Sequence, residues 1–496
     1  HALFHKALYD ALLPEERDIL HRQCFEILKT EWDRQTAVQD KSMPLASKLL
    51  THAEKCGELE AAADAALGAA QSAWRNYSES EAMEMLAHVK RLMGNAVTGT
   101  KHSKALGTAL LLEADIHHVR GRYDDALRYA AEAYTQFESA HDTLKMVSVL
   151  NRKADLLRSK GLYEDSEQTA RNALALIEND KSRTIESRTH EAAALNIIGN
   201  VNTLRGKYAE GLEYYAKCLA IQESNNDLTG IVVSLNNMGI IHFFRGNYGE
   251  ALELYKKSLA ICEPLGDRVR LGQSFNNIGA AHSARGEYEE ALKYHTKSLN
   301  VREAIGDRAG IGMSLGNIGN LHSTRGEYEE ALQWHEKSLA IREAIGERSG
   351  VAASLTDIGL EYCKLGKFHE ALDYSNKSLA VWEEIGDRGG SVESLQNIGI
   401  VYRMQGDLAK SRSALERAHA TAAETGKKEY MYMTMYELGL LCEAEANQGD
   451  ESRRSEKLKE SLSLIEDAAT TLREMNSKYA EQCETELERI KKIANA

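Results

Sequence analysis

The sequence predicts an all-α protein, a right-handed α-solenoid of about ten helix hairpins coiled into a superhelix. Three observations predict it. First, between Leu235 and Gly406 one 40-residue unit recurs in register, opening Leu235-Asn236-Asn237-Met238-Gly239, Phe275-Asn276-Asn277-Ile278-Gly279, Leu315-Gly316-Asn317-Ile318-Gly319, Leu355-Thr356-Asp357-Ile358-Gly359 and Leu395-Gln396-Asn397-Ile398-Gly399. Second, a further anchor follows each opening, as in Gly246-Asn247-Tyr248-Gly249-Glu250-Ala251, Gly286-Glu287-Tyr288-Glu289-Glu290-Ala291, Gly326-Glu327-Tyr328-Glu329-Glu330-Ala331 and Gly366-Lys367-Phe368-His369-Glu370-Ala371. Third, only Pro14, Pro44 and Pro264 interrupt 496 residues, which implies nearly continuous helix, because proline breaks helix interiors. A unit of this size cannot bury its apolar face alone and must stack on its neighbours.

In order along the chain, residues 1–40 read as a helical junction: Leu3, Leu8, Leu12 and Leu13, then a helix start at Pro14-Glu15-Glu16-Arg17, with Ile19, Leu20, Cys24, Phe25, Ile27 and Leu28 continuing an apolar stripe. Residues 41–100 are alanine-rich degenerate repeats whose small side chains permit close helix approach, and Gly57 with Ala62 is a worn copy of the Gly…Ala anchor. A break at Ala96-Val97-Thr98-Gly99-Thr100 is a candidate boundary. Degenerate repeats occupy 101–225, anchored at Gly121, Gly161 and Gly206; the last interval is 45 residues, which places a lengthened loop between Glu178 and Glu191. The regular units fill 226–425. Residues 426–496 form an atypical last pair with a polar loop near Asn447 to Arg454, then a Lys/Glu-rich helix from about 478 to 494 that caps the open end. Each unit resolves into helix A, ending near the Gly of Gly-x-Tyr, and helix B, ending at Gly266, Gly306, Gly346 or Gly386, after which Asp267, Asp307 and Asp387 cap the next helix A.

A net charge of −14 argues against a nucleic-acid scaffold, which needs a basic face to displace counterions. Seven cysteines without CxxC spacing read as reduced thiols of an intracellular, cytoplasmic protein. No apolar run reaches membrane-spanning length and no signal peptide opens the chain. Residue 1 is His rather than Met, so the expectation is a piece of something longer.

These residues resemble the tetratricopeptide repeat: a Leu/Ile-Gly pair in helix A, Gly-x-Tyr-x-Glu-Ala opening helix B, and a later aromatic such as Tyr215 or Tyr255. The 40-residue form is similar to kinesin light chain and to the spindle-orientation adaptor with Leu-Gly-Asn repeats. The resemblance covers roughly residues 100–450 and implies binding of peptides or partner proteins. A second resemblance covers the first hundred residues. Leu3-Phe4-His5-Lys6-Ala7-Leu8-Tyr9-Asp10-Ala11-Leu12-Leu13-Pro14, Leu20-His21-Arg22, and the run from His52-Ala53-Glu54-Lys55-Cys56-Gly57 to Ser80-Glu81-Ala82 are similar to the region after the ATPase in STAND-type signalling ATPases. It implies a ligand sensor governing an ATPase module upstream in the same polypeptide. No GxxxxGK[ST] phosphate loop occurs in the chain itself.

With Leu235 as position 4 of helix A, positions 4, 7, 8 and 11 (Leu235, Met238, Gly239, His242) form the core face at about 100° per residue. Positions 2, 5, 6, 9 and 13 are expected to line the concave surface. There an amide ladder runs through Asn237, Asn277, Asn317, Asp357 and Asn397. A parallel row of Asn196, Asn236, Asn276, Thr356 and Gln396 is joined by Asn200 and Asn320. Asn supplies a donor and an acceptor together, matching the backbone of an extended peptide; the competing reading is that these amides bond neighbouring helices. Ile240, Phe243, Phe244, Leu360, Cys363, Ile400 and Met404 are the expected specificity contacts, Phe243 and Phe244 the apolar pocket. Arg205, Arg245, Arg285 and Arg325 recur in the last turn of helix A, either complementing the helix C-terminus or forming an anion-binding rail. His242, His282 and His322, and likewise His295 and His335, read as packing residues, with no metal site, cofactor or catalytic constellation implied. The leading function is therefore a non-catalytic array binding an extended peptide or protein as the ligand-sensing part of a STAND-like ATPase. The alternative is a free-standing adaptor that recruits a protein partner.

Overall fold

The computed structural model describes residues 9, 11–37, 43–75, 78–94, 99–179, 184–448, 451–475, 477 and 479–494. The expected helix at Leu3 to Leu8 and Ala96 to Thr98 of the expected break lie outside them. The described residues hold twenty-three helices and no strand: α1 (Pro14–Ala37), α2 (Met43–Lys55), α3 (Leu59–Arg75), α4 (Glu79–Gly94), α5 (Thr100–Val119), α6 (Tyr123–Ser139), α7 (Thr143–Ser159), α8 (Tyr163–Asn179), α9 (Ile185–Leu204), α10 (Tyr208–Ser224), α11 (Leu228–Phe244), α12 (Tyr248–Leu265), α13 (Arg268–Ala284), α14 (Tyr288–Ile305), α15 (Arg308–Thr324), α16 (Tyr328–Ile345), α17 (Arg348–Lys364), α18 (Phe368–Ile385), α19 (Ser391–Gln405), α20 (Leu408–Glu424), α21 (Lys428–Gln448), α22 (Glu451–Glu474) and α23 (Ala480–Ala494). None of them is long and apolar enough to cross a membrane. This is an α-solenoid of repeated hairpins. It divides into two compact units, residues 1–118 with 124–153, and residues 119–123 with 154–496.

In the first unit, Ala62, Ala63, Ala65, Ala66, Ala69 and Ala70 of α3 are fully buried and pack with Leu49, Leu86 and Val89. Phe25 and Trp32 are the buried apolar contribution of α1, and the Trp32 indole donates to Asp64 at 2.6 Å. The expected stripe is corrected here: Ile19 and Ile27 are 60% and 71% exposed, because one face of α1 is not covered by any helix among the described residues of the unit.

In the second unit, each boundary has a local cause. Asp227, Asp267, Asp307 and Asp387 accept the backbone N–H three residues on, capping α11, α13 and α15 and closing the turn that precedes α19. Glu347, whose side chain is longer, makes no such bond. Gly266, Gly306, Gly346 and Gly386 close the B helices at φ between 66° and 72°, a region only glycine enters freely. Helix B meets the next helix A through buried serine pairs, Ser258 with Ser274 at 2.9 Å, Ser298 with Ser314 at 3.0 Å and Ser378 with Ser394 at 2.9 Å.

Two expected loops are largely helix. In the stretch from Glu178 to Glu191, α9 starts at Ile185 and runs 20 residues against 17 for α11, so it takes up three of the five added residues, and residues 180–183 lie outside the described ones. Most of Asn447 to Arg454 continues α21 and α22, up to Gln448 and again from Glu451. The core face is also wider than expected, since position 10 (Ile241, Ala281, Leu321, Glu361 and Val401) is buried throughout. Helices α11, α13, α15, α17 and α19 touch one another in succession while the B helices make no comparable contact, so the A layer is the inner, tighter side of this unit.

Candidate peptide groove

The inner face of the A helices is set by the 3.6-residue period. Residues 233, 237, 240 and 244 share one stripe on α11, and the same stripe recurs 40 residues later on α13, α15, α17 and α19. It is most apolar on α11 and carries its carboxylates on α17 and α19, where Leu360, Lys364, Ile400 and Met404 stand beside them. Asn237, Ile240 and Phe244 on α11 are followed by Gln273 and Asn277, then Met313, Asn317 and Asn320, then Asp357 and Leu360, and finally Glu393 and Ile400. Asn237, Asn277 and Asn317 are half-buried, and none of their side chains bonds to a described residue. These three amides fall in phase on successive A helices.

The parallel row is different. Position 5 turns into the helix seams: Asn236 is 6% exposed and donates to Ser274 of the next repeat at 3.3 Å, while Asn276, also 6% exposed, accepts from the ring of His295 at 3.2 Å. Thr356 is buried against Ser378 and Ser394. Asn397 is likewise buried and donates to the Thr356 carbonyl at 3.4 Å, so the last rung of the expected ladder holds two repeats together. Asn200 donates to Asn196 at 3.0 Å and accepts from Tyr215 at 2.6 Å, a closed local network. Asn320 is exposed.

The aromatic pair is split. Phe244 belongs to the groove stripe and stacks on Tyr208 of the preceding repeat, with centroids 6.5 Å apart. Phe243 is one position off the stripe and packs against Tyr248 and the α12 side of its own hairpin. Cys363 is buried against Val401 and lies 3.7 Å from the Met404 sulfur, so it is not a surface contact. All seven cysteines are free thiols.

The arginine rail is mostly neutralised. Arg285 and Arg325 close onto Glu287 and Glu327 of their own turns at 2.9 and 3.1 Å, and Arg205 pairs with Glu164 at 3.2 Å. Arg245, whose turn carries Asn247 in place of Glu, has no such pair among the described residues. The recurring histidines sit at the same turns. His282 and His322 bond Glu287 and Glu327 at 2.5 and 2.6 Å and stack on Tyr294 and Trp334, so they lie at the hairpin edge rather than in its centre. His242 has no acid in its turn, and burial lowers its pKa.

Beside the amides lies an acidic corner that the pattern of a single helix A does not show. Asp357 keeps about a third of its side chain open (33%), yet burial, with the Glu393 carboxylate next in importance, pushes its pKa up to about 7. Tyr430 on α21 donates to Glu393 at 2.5 Å. His335 on α16 is fully buried with its Nδ1 3.8 Å from Asp357, and burial lowers its pKa to about 4, so the ring is neutral near pH 7. Glu393 stands at position 2 of its repeat, a groove position by the periodicity alone; His335 and Tyr430 reach the corner from other helices, which no single-helix pattern shows.

The tetratricopeptide-repeat family model matches residues 190–263, 270–344 and 350–424. Among curated proteins none matches the sequence. Similar solved structures include a Rap protein complexed with competence and sporulation factor (17% identity, 70% of this chain and 98% of that one, TM-score 0.44). Others are aspartyl phosphate phosphatase F from Bacillus subtilis (13%, 74% and 94%, TM-score 0.48) and the Rap conjugation gene regulator of plasmid pLS20 in complex with the Phr* peptide (16%, 73% and 95%, TM-score 0.49). Likenesses this distant transfer no ligand or partner to the present chain. Residues 190–263, 270–344 and 350–424 are tetratricopeptide repeats, the core of an α-solenoid.

Proposed function

We propose that the array binds an extended peptide, or an extended segment of a partner protein, along the inner face of its A helices, and does no chemistry of its own. The observation that carries this reading is the trio Asn237, Asn277 and Asn317. Three half-buried amides, one per repeat, are left without a described partner, while the neighbouring Asn236 and Asn276 are consumed by the seams. Each presents a donor and an acceptor at a spacing set by helix stacking, which suits the alternating N–H and C=O of an extended main chain.

The test is the pair Asn237→Ala with Asn277→Ala. Two lost hydrogen bonds at about 1 kcal/mol each predict roughly a tenfold to thirtyfold weaker affinity for peptides that the unmodified array selects from a fluorescent library. Helicity by circular dichroism and the melting temperature stay nearly unchanged, because neither amide holds two helices together. A large fall in melting temperature with binding intact would assign these residues to the scaffold instead.

The wider reading is that the array is the ligand-sensing part of a STAND-like ATPase. It is supported by the similarity of residues 3–14, 20–22 and 52–82 to the segment that follows the ATPase there. Translating the coding sequence upstream of His1 tests it: a phosphate loop supports the sensor, and its absence favours a free-standing adaptor. Seven free cysteines support a reducing, cytoplasmic setting.

A further inference from the structure

The groove's amide row is broken at one place, where Asp357 replaces Asn, and the next A helix brings Glu393 to the same corner. Asn397, one turn along α19 from Glu393, bonds the carbonyl of Thr356 next to Asp357, so the two carboxylates stand close enough for each to feel the other, an arrangement that favours a cation. The nearby cations Arg342 and Lys364 favour the Asp357 carboxylate through space but make their hydrogen bonds to other groups. Arg342 donates to the Gly350 carbonyl at 2.8 Å and to Ser354 at 3.1 Å, on the B-helix side, and Lys364 is held by Ser323 and Glu361 at 2.5 and 3.0 Å. His335 adds an independent sign. Its ring is fully buried and aimed at Asp357, and neither ring nitrogen has a hydrogen-bond partner.

Resting on the peptide-groove reading, we propose that a Lys or Arg side chain of the bound peptide seats between Asp357 and Glu393. The apolar end of the stripe, Ile240 and Phe244, lies three repeats away. Successive A helices in contact stand roughly 8–10 Å apart, so that end is roughly 25–30 Å from the acidic corner. At about 3.3 Å per extended residue this sets the cation about eight residues from the peptide's apolar side chain. The ligand class is thus an extended peptide, apolar at one end and basic at the other. Asp357 reads the basic end because a carboxylate accepts only, whereas the Asn of the other repeats reads backbone.

Affinity for such a peptide rises with pH. A bound cation favours the ionised carboxyl, and Asp357 is only about half ionised near pH 7 because of burial and Glu393. The other charged groups facing it are Arg342 from α16 and Glu361 and Lys364 from α17 itself. His335 from α16 is already neutral above pH 6. Binding therefore tightens severalfold between pH 6 and 8.

The experiment is fluorescence polarisation of the full chain against labelled twelve-residue peptides carrying one apolar residue and a Lys or a Gln at each other position. Lys is preferred over Gln by roughly tenfold or more at one separation, as a charge-assisted hydrogen bond predicts. Asp357→Asn with Glu393→Gln removes that preference and the pH dependence, so that the Lys and Gln peptides bind alike at every pH. Asn is what neighbouring repeats carry at position 357, so folding is retained, and circular dichroism checks it. Asn-dependent binding without a Lys preference, or a preference that survives the double variant, removes this inference alone. If no library peptide binds at all, the groove reading falls and this inference falls with it.

Discussion

Gly319→Ala lowers the melting temperature of the array, whereas the same change three residues earlier, at Gly316, raises it. Both glycines lie in α15 and both are buried, so helix propensity favours alanine at each by about 1 kcal/mol. What differs is the space. A Cβ at Gly316 meets only the Ser338 hydroxyl at 3.7 Å, ordinary contact distance. A Cβ at Gly319 falls 2.6 Å from Cε1 and 2.8 Å from both nitrogens of the His335 ring, which is wholly buried and has nowhere to swing. Overpacking of that kind costs roughly 1–3 kcal/mol, which exceeds the propensity gain. Thermal unfolding followed by circular dichroism therefore separates the two variants by several degrees in opposite directions. Equal melting temperatures would mean that the hairpin relaxes around its ring and that this contact does not set the helix-pair distance. The same packing recurs at Gly199 under Tyr215, Gly239 under Tyr255 and Gly279 under His295. In these four repeats the glycine is thus a seat for the ring that helix B supplies, whereas Gly359 and Gly399 face Ser375 and Leu415.

That seat explains what the sequence disclosed and what it did not. Fold class follows from periodicity, because the 40-residue register puts Gly239, Gly279 and Gly319 under an aromatic or histidine sixteen residues on, and one hairpin implies the next. The groove was half legible. Positions 5 and 6 are neighbours on a helical wheel, 100° apart, and a wheel drawn for one helix assigned both to the open side. Stacking turns position 5 into the seam, where Ser274 and His295 claim Asn236 and Asn276, and leaves position 6 open on α11, α13 and α15, whereas on α19 Asn397 at position 6 is itself buried against Thr356. The arginines of the A-helix ends were legible as a row but not as pairs, since their Glu287 and Glu327 partners lie across a turn. The acidic corner needed three helices at once: Asp357 from α17, Glu393 from α19 and His335 from α16.

Removing residues 477–496 converts the chain into a self-associating one. The final helix α23 buries Cys483, Leu487 and Ile490 against α21 and α22, where Ile465, Ala468 and Leu472 are fully buried. Burying a Leu or Ile side chain contributes roughly 1.5–3 kcal/mol, so α23 shields apolar surface worth about 5 kcal/mol at the end of the array. It also carries Arg489, which grips Glu443 through two bonds of 2.8 and 2.6 Å; without it that carboxylate, now 9% exposed, loses its cation. In a solenoid each hairpin is stabilised only by its neighbours, so an end stripped of its cover either frays or finds another copy. Light scattering of the truncated chain is expected to show an apparent mass that climbs with concentration, alongside an early unfolding step for α21 and α22. A monomer with unchanged melting temperature would show that α22 already finishes the stack. In that case the charged face of α23, rather than its apolar one, would be the feature requiring a partner.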